Sequence, residues 1–334
     1  DRAHTREQMR WLAEVSINWA RRAPGDMTVY WEESISVNRA HREMKTFRWE
    51  WTGGVRNRPN MSRSYVDFAC WFGAEFLRRG IGLYYDNIFM EPAYDPVTTT
   101  AYRQPDGHIQ PTAGIWSRRD YLRRIWTLHR TLAPAHARPY MVLHMTNTQI
   151  LPYMVWNDSN LDLEWRDHQL PRQKAFAPDL LRAESLGLQT GNIPQALAFK
   201  EARNDLSFFG AMMVHEIRSW YVNPTAREML EKMLRFGYGR EDCRVINYWD
   251  ADSPVTVSDD ACKWLLLIRG EEALALLCTW NELPAAVQLA FDENRLPVQR
   301  GYDAVTDEAQ PLDKHTATVR MDGYGTRLVH FKLR

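Results

Sequence analysis

A chain of 334 residues is long enough for one large domain and a small one, since barrels run to about 250 residues and most domains are smaller. Its 42 basic and 42 acidic residues cancel, which excludes a general field for a polyanion, so nucleic acid is not expected as a partner. Cys70, Cys243, Cys262 and Cys278 are scattered without CxxC or Cys/His spacing, which argues against a structural zinc site, and no apolar run approaches the roughly 20 residues of a membrane span.

The sequence opens on Asp1 and already with a helical pattern. Thr5 and Gln8 form a capping box ahead of Met9, Leu12, Ala13, Ile17 and Ala20. The natural protein is therefore expected to continue upstream, where a signal peptide would not be seen. TVYWEESI at 28–35 reads as a strand, and Glu32 and Glu33 follow its apolar part. The polar stretch 38–63, with KTFRWEWTGG at its core, reads as a long loop. SYVDFACWFGAEFLRRG reads as a helix stopped by Gly80, and IGLYY as a strand buried on both faces.

The alternation then repeats. Ser117 and Asp120 can cap a helix with the stripe Tyr121, Ile125, Leu128 and Leu132, and the strand PYMVLHM follows. Further strands are expected in LPYMVW at 151–156, LGLQTG at 186–191 and CRVINYW at 243–249, with a helix capped by Thr225 and Glu228 and ended by Gly237 before the last of them. Helix and strand in alternation imply a parallel sheet. About six barrel strands are expected where this class has eight, and the other two are expected upstream. After Trp249, KWLLLIRGEEALALLCTW reads as a hairpin, and AAVQLAF, TATVRM and TRLVHFKL as short antiparallel strands. The fold class expected is a (β/α)8-type TIM barrel, N-terminally incomplete, over residues 1–252, followed by a small antiparallel β-sandwich over 253–334.

Parallel α/β folds present their chemistry from the carboxyl ends of strands, which singles out the polar residues after each apolar run. Asp86 and Asn87 close GIGLYYDN, and His144 and Asn147 follow PYMVL. Asp158, Asp162 and Glu164 fall within seven positions of LPYMVWNDSNLDLEW, where Glu164 and then Asp158 are favoured and Asp162 reads as a solvated loop residue. Glycosidic cleavage uses two carboxyls across the bond, one of them protonated, and Asp86 with Glu164 is the pair chosen. His144, Asn147, Asp158, Asn87 and Glu33 are candidates to shape a sugar site. Tyr248 and Trp249, ending the last barrel strand, are candidates for a stacking wall, the 12% aromatic content being of the kind sugar rings pack on. His215 and Glu216 read as structural. No GxGxxG, GxxxxGK[ST], GxSxG or HExxH occurs, so no nucleotide, acyl-transfer or zincin chemistry is indicated and no cofactor is expected. No metal is assigned, calcium at the acidic loop near Asp158 being the single alternative.

GIGLYYDN with PAYDP, then HMTNTQILPYMVWNDSNLDLEW, RAESLGLQTGNIPQAL and VINYW, resemble the glycoside hydrolase family 123-like proteins over residues 60–250. The resemblance implies a barrel hydrolase acting on a glycan, with a C-terminal β domain. It also implies an adjacent Asp-Glu pair supporting attack by the substrate's own acetamido group. Here Asn87 follows Asp86, so Glu164 is expected to supply the acid from another strand, and an ordinary retaining or inverting mechanism stays open. A noncatalytic glycan-binding protein on a barrel scaffold is an alternative. So is a polysaccharide lyase with Tyr85 or His144 as base. Breakdown of glycans points to a secreted or periplasmic protein.

Overall fold

The computed structural model describes residues 46–51, 54–59, 63–85, 88, 94, 96, 100–135, 141–144, 150–163, 171–197, 206–219 and 224–334. The helix expected near the start and the strand at 28–35 lie outside the described residues. The chain divides into two compact units, Asp1–Ser159 and Asn160–Arg334.

In the first unit, the stretch read as a loop contains an antiparallel pair, Thr46–Trp51 (β1) with Gly54–Pro59 (β2), in register from Thr46 opposite Pro59 to Trp51 opposite Gly54. The period-2 run Phe47, Trp49, Trp51 ahead of Thr52 and Gly53 carried that signal. Helix α1 (Arg63–Leu77) follows, and Gly80 takes φ 74° in the turn beyond it. Leu83–Tyr85 (β3) lies parallel to Met141–His144 (β6), with the small antiparallel pair Tyr102–Arg103 (β4) and Ile109–Gln110 (β5) between them in sequence. Helix α2 (Ile115–Leu132) starts after Gly114, without a side-chain cap, rather than at Ser117. It buries Tyr121, Leu122, Ile125 and His129, and it packs close to Gly73 of α1, where a Cβ would lie 3.1 Å from the end of the Ile125 side chain. Phe68, Cys70, Leu122, Ile125, Met141, Leu143 and Tyr153 form the core of this unit. LPYMVW is not a strand: Leu151–Met154 is a short helix (α3), for which Pro152 in the first turn is suited.

Ser159–Asp162 (β7), Ile193–Ala196 (β8) and Arg218–Ser219 (β9) are neighbours in that order, β8 and β9 being parallel, and all but Ser159 belong to the second unit. The run LGLQTG is a 3-10 helix (Ser185–Thr190), and the strand begins only after Gly191 at φ 80°. Helices α4 (Arg172–Ala175), α5 (Pro178–Glu184), α6 (Leu206–Met213) and α7 (Pro224–Phe236) complete the α/β part. Helix α7 begins at Pro224, so Thr225 lies inside it, and it ends at Gly237 as expected.

Arg244–Asn247 (β10) is a strand but not a barrel strand. It pairs antiparallel with Cys262–Arg269 (β12) in a six-stranded sheet that runs on through Glu272–Thr279 (β13), Thr326–Leu333 (β19), Val298–Asp303 (β15) and Ala309–Gln310 (β16). A second sheet joins Val255–Val257 (β11), Ala285–Phe291 (β14), Thr316–Met321 (β18) and Leu312–Asp313 (β17). The β12–β13 hairpin turns at Gly270, φ 56°.

Alternation explains the double burial of β12 and β13. Trp264, Leu266, Ala273, Ala275 and Leu277 face Val287, Leu289, Phe291, Val319 and Met321 of the second sheet. Leu265, Leu267, Leu274, Leu276 and Cys278 face Phe208, Met212, Met229 and Met233 of α6 and α7. A strand buried on both faces must be apolar at successive positions, which is why KWLLLIR and ALALLC carry no alternation. The fold class is that expected: β/α-barrel elements followed by an antiparallel β-sandwich.

Candidate functional site

At the carboxyl ends of the first unit's parallel strands, β3 finishes at Tyr85 and β6 at His144. Asp86, Asn87 and Asn147 lie outside the described residues, as do Glu33 and, in the second unit, Glu164. The chain on either side of positions 86–87 is placed: Tyr85 ends β3, and the Ile88 amide donates to the His144 carbonyl at 2.8 Å. Both flanks therefore stand at the carboxyl end of the strand pair, where barrels hold reacting groups. His144 is buried, at 4% exposure, with Nδ1 hydrogen-bonded to the Tyr84 hydroxyl, and Tyr84 is 47% exposed. The tyrosine is the solvent-facing member of this pair and the histidine its buried anchor.

Asp158 stands at the other end. Its Oδ2 accepts the Met141 amide at 2.9 Å, and its own amide donates to the Met141 carbonyl at 3.0 Å, so it closes the amino-terminal end of β6. His129 Nε2 at 3.9 Å and Arg130 at 3.8 Å face the same carboxylate. The sequence reading placed Asp158 after a strand, at a mouth. Because 151–154 is helical, it instead precedes β7 and is engaged by backbone.

In the second unit, Asp162 is the last residue of β7 and is 3% exposed, not a solvated loop residue. Its carbonyl accepts the Leu197 amide at 3.2 Å, one residue past the end of β8. Leu163, next in the chain, has φ 66°, a left-handed conformation that costs a non-glycine residue free energy and collects at functional turns. Asp162 is thus a carboxylate at a strand's carboxyl end that periodicity alone did not flag, since SNLD is not an apolar run. Among the described residues no three His, Cys, Asp or Glu side chains converge as a metal site would require.

Tyr248 and Trp249 are not at a barrel mouth, because β10 belongs to the antiparallel sheet. They pack on His215, which is fully buried. His215 Nδ1 is 2.7 Å from the Ala211 carbonyl and so carries its proton there, and Nε2 accepts the Tyr248 hydroxyl at 2.9 Å. Burial pushes the imidazole down to about 4, and it stays neutral. Trp249 stacks on it at 5.9 Å and 20°, and Tyr248 is edge-on to the imidazole at 5.4 Å and to Trp249 at 4.8 Å. Glu216, in the left-handed region at φ 58°, accepts the Tyr238 hydroxyl on Oε1 at 2.9 Å and the Asn247 amide on Oε2 at 3.1 Å. The sequence reading took His215 and Glu216 as structural. That describes the imidazole, whereas the carboxylate borders a cavity.

No protein-family model matches the sequence, and no curated protein does. Two structures of a GH27 β-L-arabinopyranosidase from Geobacillus stearothermophilus, one in complex with arabinose, are similar to this chain. Their TM-scores are 0.56 and 0.53 at 8% and 10% identity, over 84% and 81% of this chain and 65% and 62% of theirs. A maltogenic alpha-amylase from Thermotoga neapolitana gives a TM-score of 0.49 at 9% identity, over 84% of this chain and 69% of its own. The chain spans a little under two thirds of the arabinopyranosidase. At 8% and 10% identity the likeness to the arabinopyranosidase is one of fold.

Proposed function

We propose that this protein is a glycoside hydrolase whose reacting groups stand at the carboxyl ends of its parallel strands, with Asp86 and Glu164 as the carboxyl pair. The observation that carries the reading is the bracketing of Asp86: the residue before it ends β3, and the residue two after it is bonded to the last residue of β6. Glu164 follows Asp162 by two positions, across the left-handed turn at Leu163. The fold shared with glycosidases supports hydrolysis of a glycan in general.

In this reading one carboxyl is protonated and delivers its proton to the leaving oxygen, and the other attacks the anomeric carbon or activates water. A separation of roughly 5–5.5 Å between them gives retention and roughly 6.5–9.5 Å gives inversion. Asn87 replaces the second acid of the family 123-like pair, and its amide is suited to orienting an acetamido or hydroxyl group. Tyr84, held by His144, is the side chain offered to the sugar, and Asn147 is kept as a binding candidate. Glu33 is kept as a binding candidate. The activity is that of an exported enzyme.

The test is release of reducing sugar from a panel of aryl glycosides and polysaccharides by wild type, Asp86→Asn and Glu164→Gln. Both variants are expected to lose about 100-fold or more in kcat, the range of acid-base catalysis. Full activity in both variants refutes the pair. A lyase reading draws on the Tyr84–His144 hydrogen bond as a base and its partner. It predicts an unsaturated product absorbing in the ultraviolet, which hydrolysis does not form.

A further inference from the structure

The second unit contains a cavity of about 400 Å³ bordered by Asp179, Arg182, Ser185, Glu216, Asn247 and Trp249. It is unrelated to the strand mouths. Glu216 precedes β9, and the 3-10 helix that supplies Ser185 precedes β8, so the cavity opens at the amino-terminal ends of these parallel strands. Its volume lies within the roughly 300–1,000 Å³ of small-molecule sites.

Its walls are fixed in advance. Trp249 is held flat against a buried, neutral imidazole. Glu216 has both oxygens oriented, by a tyrosine hydroxyl and by the Asn247 amide, in a backbone conformation that a glutamate adopts only at a cost. Arg182 is exposed, its guanidinium 5.3 Å over the Trp249 ring, and Asp179 is exposed beside it on α5.

We infer that this cavity is a second binding site, for a neutral saccharide. A sugar ring offers apolar C–H groups for Leu186 and Leu188, exposed side chains that also border the cavity, and hydroxyls that donate and accept at once. The cavity supplies acceptors in Asp179 and Glu216, donors in Arg182, and both in Asn247. Two carboxylates against one guanidinium repel an anionic ligand, and the guanidinium over the tryptophan opposes a cationic one at the aromatic face. The site is separate from the strand mouths to which hydrolysis is assigned, and its existence does not depend on that assignment.

The test is titration calorimetry of the intact chain with maltotriose, xylotriose and arabinotriose, with galacturonic acid and glucosamine as charged counterparts. Hydrogen exchange of residues 178–188 and 214–219 is followed in parallel. The titrations are repeated in Asp86→Asn, so that loss of turnover and loss of this binding are read separately. At least one neutral trisaccharide is expected to bind and to slow exchange in both segments. Arg182→Ala and Asp179→Asn, exposed positions whose replacement leaves the core intact, are each expected to weaken that binding about tenfold or more, the cost of one charge-assisted hydrogen bond. The inference is overturned if no neutral saccharide slows exchange in these segments. Binding unchanged in both variants, or a charged sugar binding tighter than the neutral ones, overturns it equally.

Discussion

Replacing His215 by glutamine tests the buried imidazole directly. Glutamine keeps a donor for the Ala211 carbonyl and an acceptor for the Tyr248 hydroxyl but does not titrate. The folded-state pKa is depressed by burial, from 6.5 to about 4, with the charges of Lys263 and Arg182 acting the same way. In the unfolded chain the imidazole protonates as pH falls through 6.5, while in the folded protein it does not until about 4. Stability from this residue is therefore complete above 6.5, is lost at about 1.4 kcal/mol per pH unit across the window, and changes no further below 4. The loss is about 3 kcal/mol. Urea unfolding followed by circular dichroism at several pH values between 7.5 and 4 measures it. Other titrating groups cancel between wild type and His215→Gln, so the stability difference between the two is expected to shift by about 3 kcal/mol toward the variant as pH falls. Parallel curves for the two proteins would refute a neutral, buried His215.

Gly210 on α6 faces Thr326, where a Cβ would lie 1.9 Å from Oγ1 and 2.8 Å from Cγ2. Gly210→Ala is expected to cost roughly 1–3 kcal/mol in urea unfolding, with partial recovery when Thr326→Ala is added. Asp158→Ala leaves the Met141 amide without its side-chain acceptor and is expected to cost roughly 1–3 kcal/mol, whereas Asp158→Asn keeps an acceptor and costs less. Equal losses in the two would show that the charge facing His129 and Arg130, and not the backbone bond, is what the residue contributes. Arg269 donates to the Phe236 carbonyl at the end of α7 at 3.1 Å and to Asp242 at 2.7 Å. Arg269→Ala is expected to lower stability by about 1 kcal/mol, and an unchanged thermal midpoint would count against a capping role.

What was legible in the sequence followed from patterns that only one environment allows. The unbroken apolar runs of β12 and β13 require burial on both faces, and Gly270 marks their turn. Gly80 and Gly237 each mark a helix end through a positive φ. Elsewhere short segments had two solutions. LPYMVW suits a strand by composition, but Pro152 fits the first turn of a helix, and the helix won. CRVINYW was rightly read as a strand, yet nothing local tells a strand whether its partner is parallel or antiparallel, and β12 lies almost 20 residues downstream. That error moved Trp249 from a mouth to the amino-terminal side. It also hid the cavity, whose members at 179–188, 216 and 247–249 share no motif and meet only in space. Ser117 and Thr225 resemble caps, but helix starts at Gly114 and Pro224 pre-empted them. Asp162 reads as a solvated loop residue because its strand is polar in sequence, yet it is buried in fact.

The six-stranded sheet has one apolar face against the second sheet and the other against α6 and α7. Such a sheet is shared property. Cutting the chain after residue 252 would strip β10 of its neighbour and leave α6 and α7 with an uncovered flank, while residues 253–334 alone would present Leu265, Leu267, Leu274 and Leu276 to water. Either fragment would expose apolar surface that the whole chain buries. Appendages that hang from flexible linkers have cores of their own, but here the β-sandwich shares a core with the helices it covers, inside one compact unit.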